Sequence, residues 1–400
     1  MNAWELAKAA GKAAVLEKIE QAGIFTPDAQ CLTAVLKGSE KKPVYGALQN
    51  ADLFHIRKKV FEEKPQEVVE GLQILQWLLE APESTLFVPE GEDAAKSALE
   101  QAGAEAVLFG KPSLSLLENG AGFHPETLAA VAQTVSGTYE PGAYLCGEVR
   151  TAQGAARGPV RFVKSGEKLS SLFSDLPKTI KAVYFAGRLS GPEALECPLT
   201  LEEPTGDGRV LVFDERCCMV AEAEKSAAAF RRESCGKCTF CREGLYQFSA
   251  RLEEITHKRG DLAGLDILKE IGQAMRFSCN CSLGREGARF AMETFEAFRG
   301  EYEAHCKRRV CPTDTCTAFW DLYIDPQRCT GCGKCLAVCP ENALEGLPGF
   351  IHMVEDFNCT RCGACEKVCP EHAVVCHTEA GSMPVPLPDR LTRVGRFQRY

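Results

Sequence analysis

The chain has 400 residues, carries a formal net charge of −9 and contains 22 cysteines. This length allows two or three domains with their own cores, so disulfides are not needed to replace a small interior. No apolar run reaches the roughly 18 residues of a membrane span, and the acidic balance argues against a nucleic-acid partner. The N-terminus lacks the pattern of a secretory signal. We therefore expect a cytoplasmic protein whose cysteines serve metal or redox chemistry.

Hydrophobic periodicity divides the N-terminal part of the chain into a helix and an α/β region. Met1–Gln21 has apolar residues at the spacing of an amphipathic helix. Between Pro43 and Val135, helical and strand-like patterns alternate, which favours a mainly parallel sheet. The predicted elements are a helix at 68–79, a strand at 84–89, a helix at 94–102 and a strand at 106–109.

The pattern changes several times after this region. Residues 158–214 contain short β-rich pieces between Gly, Pro and Ser turns, which is typical of a small α+β module. Residues 221–306 are rich in Ala, Glu, Leu and Arg at helical spacing and predict a helical bundle. Residues 381–400 are Pro-rich and then basic, so we expect an extended arm that is either mobile or docked on a partner.

The strongest signal is a cysteine run that occurs twice between residues 325 and 376. Each copy has three cysteines with two-residue gaps, then a fourth cysteine followed by proline. The runs closely resemble bacterial two-cluster ferredoxins, in which the fourth cysteine of each run ligates the other cubane cluster. A zinc ribbon, the alternative, would lack the third and fourth cysteines. The predicted [4Fe-4S] ligands are Cys329, Cys332, Cys335 and Cys369 for one cluster, and Cys359, Cys362, Cys365 and Cys339 for the other.

A third triplet, Cys235, Cys238 and Cys241, has the same gaps but no fourth cysteine nearby. The candidates for a fourth ligand are Cys279 and Cys281, about forty residues further on. A helical excursion between the triplet and its fourth ligand would suit a cluster at one end of a bundle. A zinc site or a redox disulfide is the alternative.

The residues around this triplet resemble the flavin- and NADH-binding subunit of respiratory complex I. Glu233–Gly244 (ESCGKCTFCREG) and the later Cys281-Ser-Leu-Gly are similar to that family's cluster motifs, and Gly142–Glu148 (GAYLCGE) is similar to another of its segments. The resemblance implies that Cys281 is the fourth ligand and Cys279 is extra. With its appended ferredoxin, the chain is most similar to the flavin subunits of electron-bifurcating [FeFe]-hydrogenases, NAD(P)-linked hydrogenases and formate dehydrogenases.

This resemblance implies an α/β Rossmann-like degenerate flavin domain, a β-grasp module, a helical-bundle [4Fe-4S] domain and a C-terminal two-cluster ferredoxin domain. The predicted segments are an N-terminal helical segment at 1–42, the flavin domain at 43–157, the β-grasp module at 158–214, the bundle at 215–306, a connector with a candidate zinc site at 307–324, the ferredoxin domain at 325–380 and the tail at 381–400.

The family's flavin site is poorly matched. Its glycine-rich loop, where backbone N–H groups approach the FMN phosphate, corresponds to about Cys31–Gly46, and the glycines are absent there. Two acidic positions are occupied by Leu53 and Val149. We therefore expect that the FMN and NADH sites are lost and that the chain has no catalytic residue of its own, since side chains supply no two-electron carrier. In the alternative, a reshaped FMN site uses Asn50, Tyr144 and Glu148.

A further metal set is formed by His305, Cys311 and Cys316 together with His352, which lies between the two ferredoxin runs. Two imidazoles and two thiolates suit tetrahedral zinc. The hydrogenase-type relatives have similar residues at these positions. The alternatives are free thiols with a surface histidine, or a set completed by Cys306.

These features predict an iron–sulfur electron-transfer subunit of a cytoplasmic multi-subunit oxidoreductase. Three [4Fe-4S] clusters would relay electrons to other redox subunits, such as a hydrogenase, formate dehydrogenase or flavoprotein, and to soluble ferredoxin. The alternative function is an NAD(P)H-oxidising, FMN-containing dehydrogenase subunit, including the electron-bifurcating kind. A purely structural assembly platform is the third hypothesis.

Overall fold

The computed structural model describes residues 1–47, 53, 55–377 and 386–397. Its contacts divide the chain into two compact units, Met1–Leu252 with Ala263–Arg299, and Glu253–Leu262 with Gly300–Tyr400. Within the described residues, no helix combines the length and the apolar composition that a membrane span requires.

The N-terminal segment of the first unit is helical, but it is not one helix. Asn2 caps the first helix with a capping box to Glu5, and Gly11, at φ +83°, separates this helix from the next. The predicted helix over Met1–Gln21 is therefore interrupted, because the chain turns at this glycine. The buried Glu70 carboxylate accepts a hydrogen bond from the Ala3 N–H at 2.8 Å and attaches the segment to the α/β layer. The helices are α1 (Ala3–Ala10), α2 (Lys12–Ala22) and α3 (Leu32–Lys37).

The α/β layer contains a four-stranded, fully parallel sheet, as the alternating pattern predicts. Its strands are β1 (Val44–Ala47), β2 (Ser84–Val88), β3 (Val107–Phe109) and β4 (Ala121–Phe123), in the order β3-β2-β1-β4. Its helices are α4 (Ile56–Glu63), α5 (Pro65–Leu79), α6 (Asp93–Gln101), α7 (Leu114–Asn119) and α8 (Pro125–Ser136). Gly71 of α5 lies so close to α8 that a Cβ would overlap the Leu128 carbonyl. Because β2 and β4 lie on opposite sides of β1, the strand order reverses at the carboxyl ends of β1 and β4.

A second, five-stranded mixed sheet follows in the order β6-β5-β9-β7-β8. The strands are β5 (Gly142–Thr151), β6 (Gly154–Lys164), β7 (Ile180–Phe185), β8 (Arg188–Ser190) and β9 (Arg209–Asp214). β5 and β6 form a hairpin that closes at Thr151 and Gly154. The boundary predicted between residues 157 and 158 falls inside β6. The GAYLCGE segment belongs to this sheet and not to the parallel one.

Residues 221–306, whose composition predicts a helical bundle, are mostly helical in the structure. Its helices are α9 (Met219–Glu233), α10 (Thr239–Thr256), α11 (Leu262–Ser278), α12 (Ser282–Glu286), α13 (Arg289–Ala297) and α14 (Arg299–Glu303). The buried Phe290 ring of α13 contacts Tyr184 and Phe213 of the mixed sheet, with centroids 4.8 and 5.5 Å apart. These aromatic contacts pack the sheet against the bundle within the first unit.

The second unit has a twofold repeated pattern. The strands β10 (Asp321–Ile324) and β13 (Val374–His377) pair antiparallel, as do β11 (Leu344–Glu345) and β12 (Met353–Val354). Each cysteine run contains one short helix, α15 (Lys334–Val338) or α16 (Ala364–Val368). A buried cluster of apolar residues and cysteines lies between these elements.

The C-terminal segment docks on the chain's own second unit. The Ile351 N–H donates to the Thr392 carbonyl at 2.8 Å, and the Val394 N–H donates to the Gly349 carbonyl at 3.1 Å. Phe397 packs against the buried cluster of the same unit. Residues 386–397 of the predicted arm are described, and they pair with residues 349–351 of the same chain. The sequence instead predicts an arm that is either mobile or docked on a partner.

Candidate metal centres

Five cysteines of the first unit converge at one end of the bundle. Cys235 and Cys238 lie in the loop between α9 and α10, and Cys241 lies in the first turn of α10. Cys279 and Cys281 occupy the short connection between α11 and α12. The helical excursion expected between the triplet and its fourth ligand therefore consists of α10 and α11.

The sulfur atoms of these cysteines interact with one another. Cys279 shares a hydrogen bond with Cys241, which raises the pKa of Cys279 and lowers that of Cys241. Burial raises the pKa of Cys281, and thiolate charge on Cys241 and Cys235 adds to that effect. Backbone N–H groups of Leu283 and Gly284 act on Cys281 in the opposite direction. Closely spaced thiols in this number are a donor set that fits an iron–sulfur cluster.

Two residues next to these cysteines were not identified as site residues from the sequence. Lys111 comes from the α/β layer, donates to the Glu233 carbonyl at 2.7 Å, and is one of the groups that lower the pKa of Cys241. Gly284 lies against Cys279, because a Cβ at this position would be 2.6 Å from the Cys279 Cβ. No sequence pattern links Lys111 to the triplet, whereas Gly284 is part of the motif that follows Cys281.

In the second unit, the two ferredoxin-like runs have matching local geometry. Gly333 and Gly363 precede α15 and α16 in the left-handed conformation, at φ +75° and +72°. Glycine adopts this conformation without strain, and it turns the chain between the second and third cysteine of each run. The fourth cysteines match too, since Ala343 N–H donates to Cys339 Sγ at 3.2 Å and Ala373 N–H to Cys369 Sγ at 3.3 Å.

The fourth cysteine of the first run lies beside the second triplet. One small cavity is lined by Cys339 together with Cys359, Cys362 and Cys365. Within each triplet the thiols are close enough to interact. The pKa of Cys335, for example, is raised to about 11 by burial and by Cys329 and Cys332. Four thiols around one cavity fit the exchange of ligands between runs that the spacing predicts.

Three of the four predicted zinc ligands lie together. The ligand atoms of His305, Cys311 and Cys316 are within 4.8 Å of one another. His305 is fully buried in a π-helical turn, and its Nδ1 lies 2.8 Å from the Glu301 carbonyl. A proton on Nδ1 directs Nε2 to a metal, and this second hydrogen bond is typical of zinc-binding histidines. One imidazole and two thiols fit zinc in their chemistry.

The fourth predicted zinc ligand, His352, lies elsewhere. Its Nδ1 is 3.6 Å from the Sγ of Cys329, a predicted cluster ligand, and its ring is buried. Among the residues that the structure describes, His352 does not join the group of His305, Cys311 and Cys316. Its position in the sequence could not reveal this, because the loop between the two runs turns back on the first run.

The residues proposed for a reshaped flavin site make contacts within the chain. Asn50 lies outside the described residues. The Tyr144 hydroxyl donates to Glu63 at 3.3 Å. The Glu148 side chain is 3% exposed, and its two oxygens lie 2.7 and 2.9 Å from the Nε atoms of Arg150 and Arg157. Burial raises the pKa of Glu148, but the two arginines outweigh burial and the net shift is downward.

Two family profiles match the chain. The NADH-ubiquinone oxidoreductase-F iron-sulfur binding region matches residues 221–305, and a 4Fe-4S dicluster domain matches residues 321–370. The two matches cover the two sets of converging cysteines described above.

The chain is homologous to known redox subunits over about a third of its length. The NADP-reducing hydrogenase subunit HndC of Solidesulfovibrio fructosivorans is 39% identical over 141 residues, which are 35% of this chain and 29% of HndC. The NADH-quinone oxidoreductase-F protein of Streptomyces coelicolor is 31% identical over 159 residues, or 39% of this chain and 32% of that protein. The matched part thus spans about a third of each relative.

The fold is similar to that of a crystallised hydrogenase. A chain of an NAD⁺-reducing [NiFe]-hydrogenase in the H2-reduced state superimposes with a TM-score of 0.59 at 20% identity, over 77% of this chain and 66% of that one. The air-oxidised state gives a TM-score of 0.61 at 19% identity. At this level of identity the likeness concerns the fold alone.

Proposed function

We propose that the chain is an iron–sulfur electron-transfer subunit of a cytoplasmic multi-subunit oxidoreductase, of the hydrogenase, formate dehydrogenase or bifurcating type. The observation that carries this proposal is the convergence of thiols at the bundle end and in the two runs of the second unit. When bound there, three [4Fe-4S] clusters would supply one-electron transfer. Homology to the hydrogenase subunit HndC and to the NADH-quinone oxidoreductase-F protein supports other redox subunits as partners.

The exposure of the cysteines suits this role. In each run the first and third cysteines are less exposed than the second, so Cys332 and Cys362 mark the edges that face solvent. Cys235 is the exposed member of the bundle set. The less exposed thiols would keep water from most of each cluster, while the exposed edges give a redox partner close approach. Water access and N–H bonds to sulfur both change cluster potentials.

The contacts around Glu148 support the loss of the flavin site. The family's acidic residue at this position is held by two arginines, and Arg150 also binds Glu222 of the bundle at 2.6 Å. The adjacent Gly147 is covered by the Phe173 ring, which would lie 2.7 Å from a Cβ at this glycine. A buried carboxylate that is paired with cations has little capacity left for a ligand.

The second candidate function, an FMN-containing NAD(P)H dehydrogenase subunit, is favoured by one observation. The parallel sheet retains the reversal of strand order between β1 and β4, where sheets of this kind bind ligands. Acid extraction of the purified protein discriminates between the two functions. Stoichiometric FMN would contradict the first, whereas absence of flavin together with absence of NADH oxidation would contradict the second.

We also propose that His305, Cys311 and Cys316 hold a zinc ion. A zinc ion bound there would stabilise the loop between α14 and β10, which has little regular structure of its own.

The decisive experiment is anaerobic purification of the native complex, followed by iron, sulfide, zinc and flavin analysis. Three cubane clusters predict about twelve irons and twelve sulfides per chain. An iron content of about eight per chain would show that the bundle cysteines do not hold a cluster. Cys238→Ala and Cys332→Ala should each remove a cluster. If the complex kept full activity in these variants, the chain would instead be a purely structural assembly platform.

A further inference from the structure

His352 lies in the loop between the two cysteine runs, directly before β12. Its side chain is 2% exposed, and its Nδ1 is 3.6 Å from the Sγ of Cys329. This distance is within the range of an N–H···S hydrogen bond. The contact involves a thiol that the ferredoxin pattern assigns to a cluster, so the histidine can act on that cluster without ligating it.

The ring of His352 is held in place from two directions. Gly346 lies against it so closely that a Cβ at this position would overlap the Cδ2 atom of the ring. The preceding residue, Ile351, is fully buried and donates its N–H to the Thr392 carbonyl. The position of the imidazole is therefore set by packing of the backbone on both sides, and the ring has little freedom to leave Cys329.

The chemistry of the contact fixes the tautomer. A thiolate that binds iron has no proton, so it can only accept a hydrogen bond, and Nδ1 must be the donor. The buried Nε2 has no hydrogen-bond partner among the described residues. A neutral imidazole carries one N–H, and placing it on Nδ1 satisfies Cys329 without burying an unpaired N–H at Nε2.

The contact distinguishes the two runs. Ala343 and Ala373 make equivalent N–H···S bonds to Cys339 and Cys369, so these bonds affect both clusters alike. Cys359 is the counterpart of Cys329 in the second run. In the part of the chain that the structure describes, no histidine lies at Cys359 as His352 lies at Cys329. His352 is thus a difference between two otherwise similar sites.

We infer that His352 is a tuning residue, which donates Nδ1–H to the Cys329 thiolate and raises the reduction potential of the cluster held by Cys329, Cys332, Cys335 and Cys369 above that of the other ferredoxin cluster. This inference rests on the proposed function. A hydrogen bond to a ligating sulfur stabilises the more negative, reduced cluster, so the potential rises. An electron shared by the two clusters would then reside mainly on the one next to His352.

Potentiometric titration of the full-length, anaerobically prepared protein tests this inference, with the reduced clusters followed by EPR. The Cys332→Ser variant identifies the EPR signal of the cluster next to His352, because Cys332 and Cys329 are predicted ligands of the same cluster. His352→Leu removes the donor, and we expect the ratio of reduced to oxidised cluster at a fixed potential to fall about tenfold, which is about 59 mV for one electron. His352→Asn should restore the native value within about twofold, because the amide nitrogen is as many bonds from Cα as Nδ1 is.

His372→Asn is the matched control. His372 is an exposed histidine of the second run at φ +46°, and the corresponding residue of the first run is Asn342 at φ +52°. This substitution should leave both ferredoxin clusters unchanged. An unchanged potential in His352→Leu would overturn the inference, as would an equal shift of both ferredoxin clusters. Loss of zinc without a shift in potential would make His352 a zinc ligand instead.

Native protein labelled with ¹⁵N-histidine gives a test that does not depend on the folding of a variant. Pulsed EPR should detect a ¹⁵N coupling to the cluster assigned by Cys332→Ser, and absence of this coupling would contradict the hydrogen bond. Iron and sulfide analysis distinguishes failure of the proposed function from failure of the inference about His352. Protein without clusters would contradict the proposed function itself, whereas protein with twelve irons and no coupling would contradict only the role of His352.

Discussion

The guanidinium of Arg150 joins the carboxylate of Glu148, at 2.7 Å, to that of Glu222, at 2.6 Å. Glu148 and Arg150 lie on β5, and Glu222 lies in the first turn of α9. In the family that the chain resembles, the segment with Glu148 contributes to a flavin site. Here the same acid connects the mixed sheet to the helical bundle, so it has a structural role whether or not a flavin binds.

Glu148→Gln should lower the thermal unfolding midpoint, because it leaves the buried Arg150 with one carboxylate instead of two. Removing one partner of a buried ion pair costs about 3 kcal/mol. Differential scanning calorimetry measures the change. Glu140→Gln is the control, since the pair of Glu140 with Lys164 is about 60% exposed and should contribute little. Equal midpoints for native protein and Glu148→Gln would contradict the structural role.

The pH dependence of this effect follows from the lowered pKa of Glu148. A carboxyl group with a folded-state pKa below its ordinary value of 4.5 stabilises the fold above that value, and the stabilisation is lost as the pH falls through the folded-state pKa. The difference in unfolding midpoint between native protein and Glu148→Gln should therefore be constant between about pH 6 and pH 8. A difference that grows or shrinks in this interval would show that another group titrates.

Serine variants should identify the fourth ligand of the bundle cluster. Burial raises the pKa of Cys281, but the Leu283 and Gly284 N–H groups partly offset this effect by stabilising its thiolate. The pKa of Cys279 is raised by its hydrogen bond with Cys241 and further by burial. We expect Cys281→Ser to lower iron from about twelve to about eight per chain, and Cys279→Ser to retain twelve. Iron analysis and EPR of the reduced protein measure this. The reverse result would assign the cluster to Cys279.

In the crossed arrangement, the fourth cysteine of each run ligates the cluster of the other run. This arrangement predicts which cysteine substitutions should perturb the same EPR signal. Cys339→Ser and Cys362→Ser should perturb the same EPR signal, because both residues line one cavity. Cys369→Ser and Cys332→Ser should perturb the other signal. If Cys339→Ser and Cys332→Ser instead shared a signal, each run would bind its own cluster and the crossed arrangement would be wrong.

Substitution at the proposed zinc site should separate zinc from iron. Cys316→Ala removes one of the three grouped ligands and should abolish the zinc detected by plasma mass spectrometry, with iron unchanged. Cys306→Ser is a suitable control, because Cys306 is buried nearby in sequence but is not part of the group. Loss of zinc in both Cys306→Ser and Cys316→Ala would favour the set completed by Cys306, whereas retention of zinc in Cys316→Ala would contradict the proposed site.

The sequence predicted those parts of the protein that depend on local patterns. The parallel sheet follows from alternating periods, and the cysteine runs follow from ligand spacing. The hydrogen bond of Cys279 with Cys241 and the effect of the Lys111 charge on Cys241 could not be read in this way, because they depend on how α10, α11 and the α/β layer come together. The pairing of residue 157 with β5 could not be read for a similar reason, since a strand pattern does not reveal which of two sheets the strand joins.

The pairing of residues 392–394 with residues 349–351 has a consequence for biosynthesis. The ribosome makes both cysteine runs before it makes Thr392 and Val394, so the loop that carries His352 has no pairing partner while the runs emerge. Iron and sulfide delivered at that stage would meet a first run whose histidine is not yet fixed. Maturation of this module should therefore be completed only after Thr392 and Val394 have been made and have paired with residues 349–351. Termination of synthesis before Thr392 would leave one cluster more open to oxygen than the other.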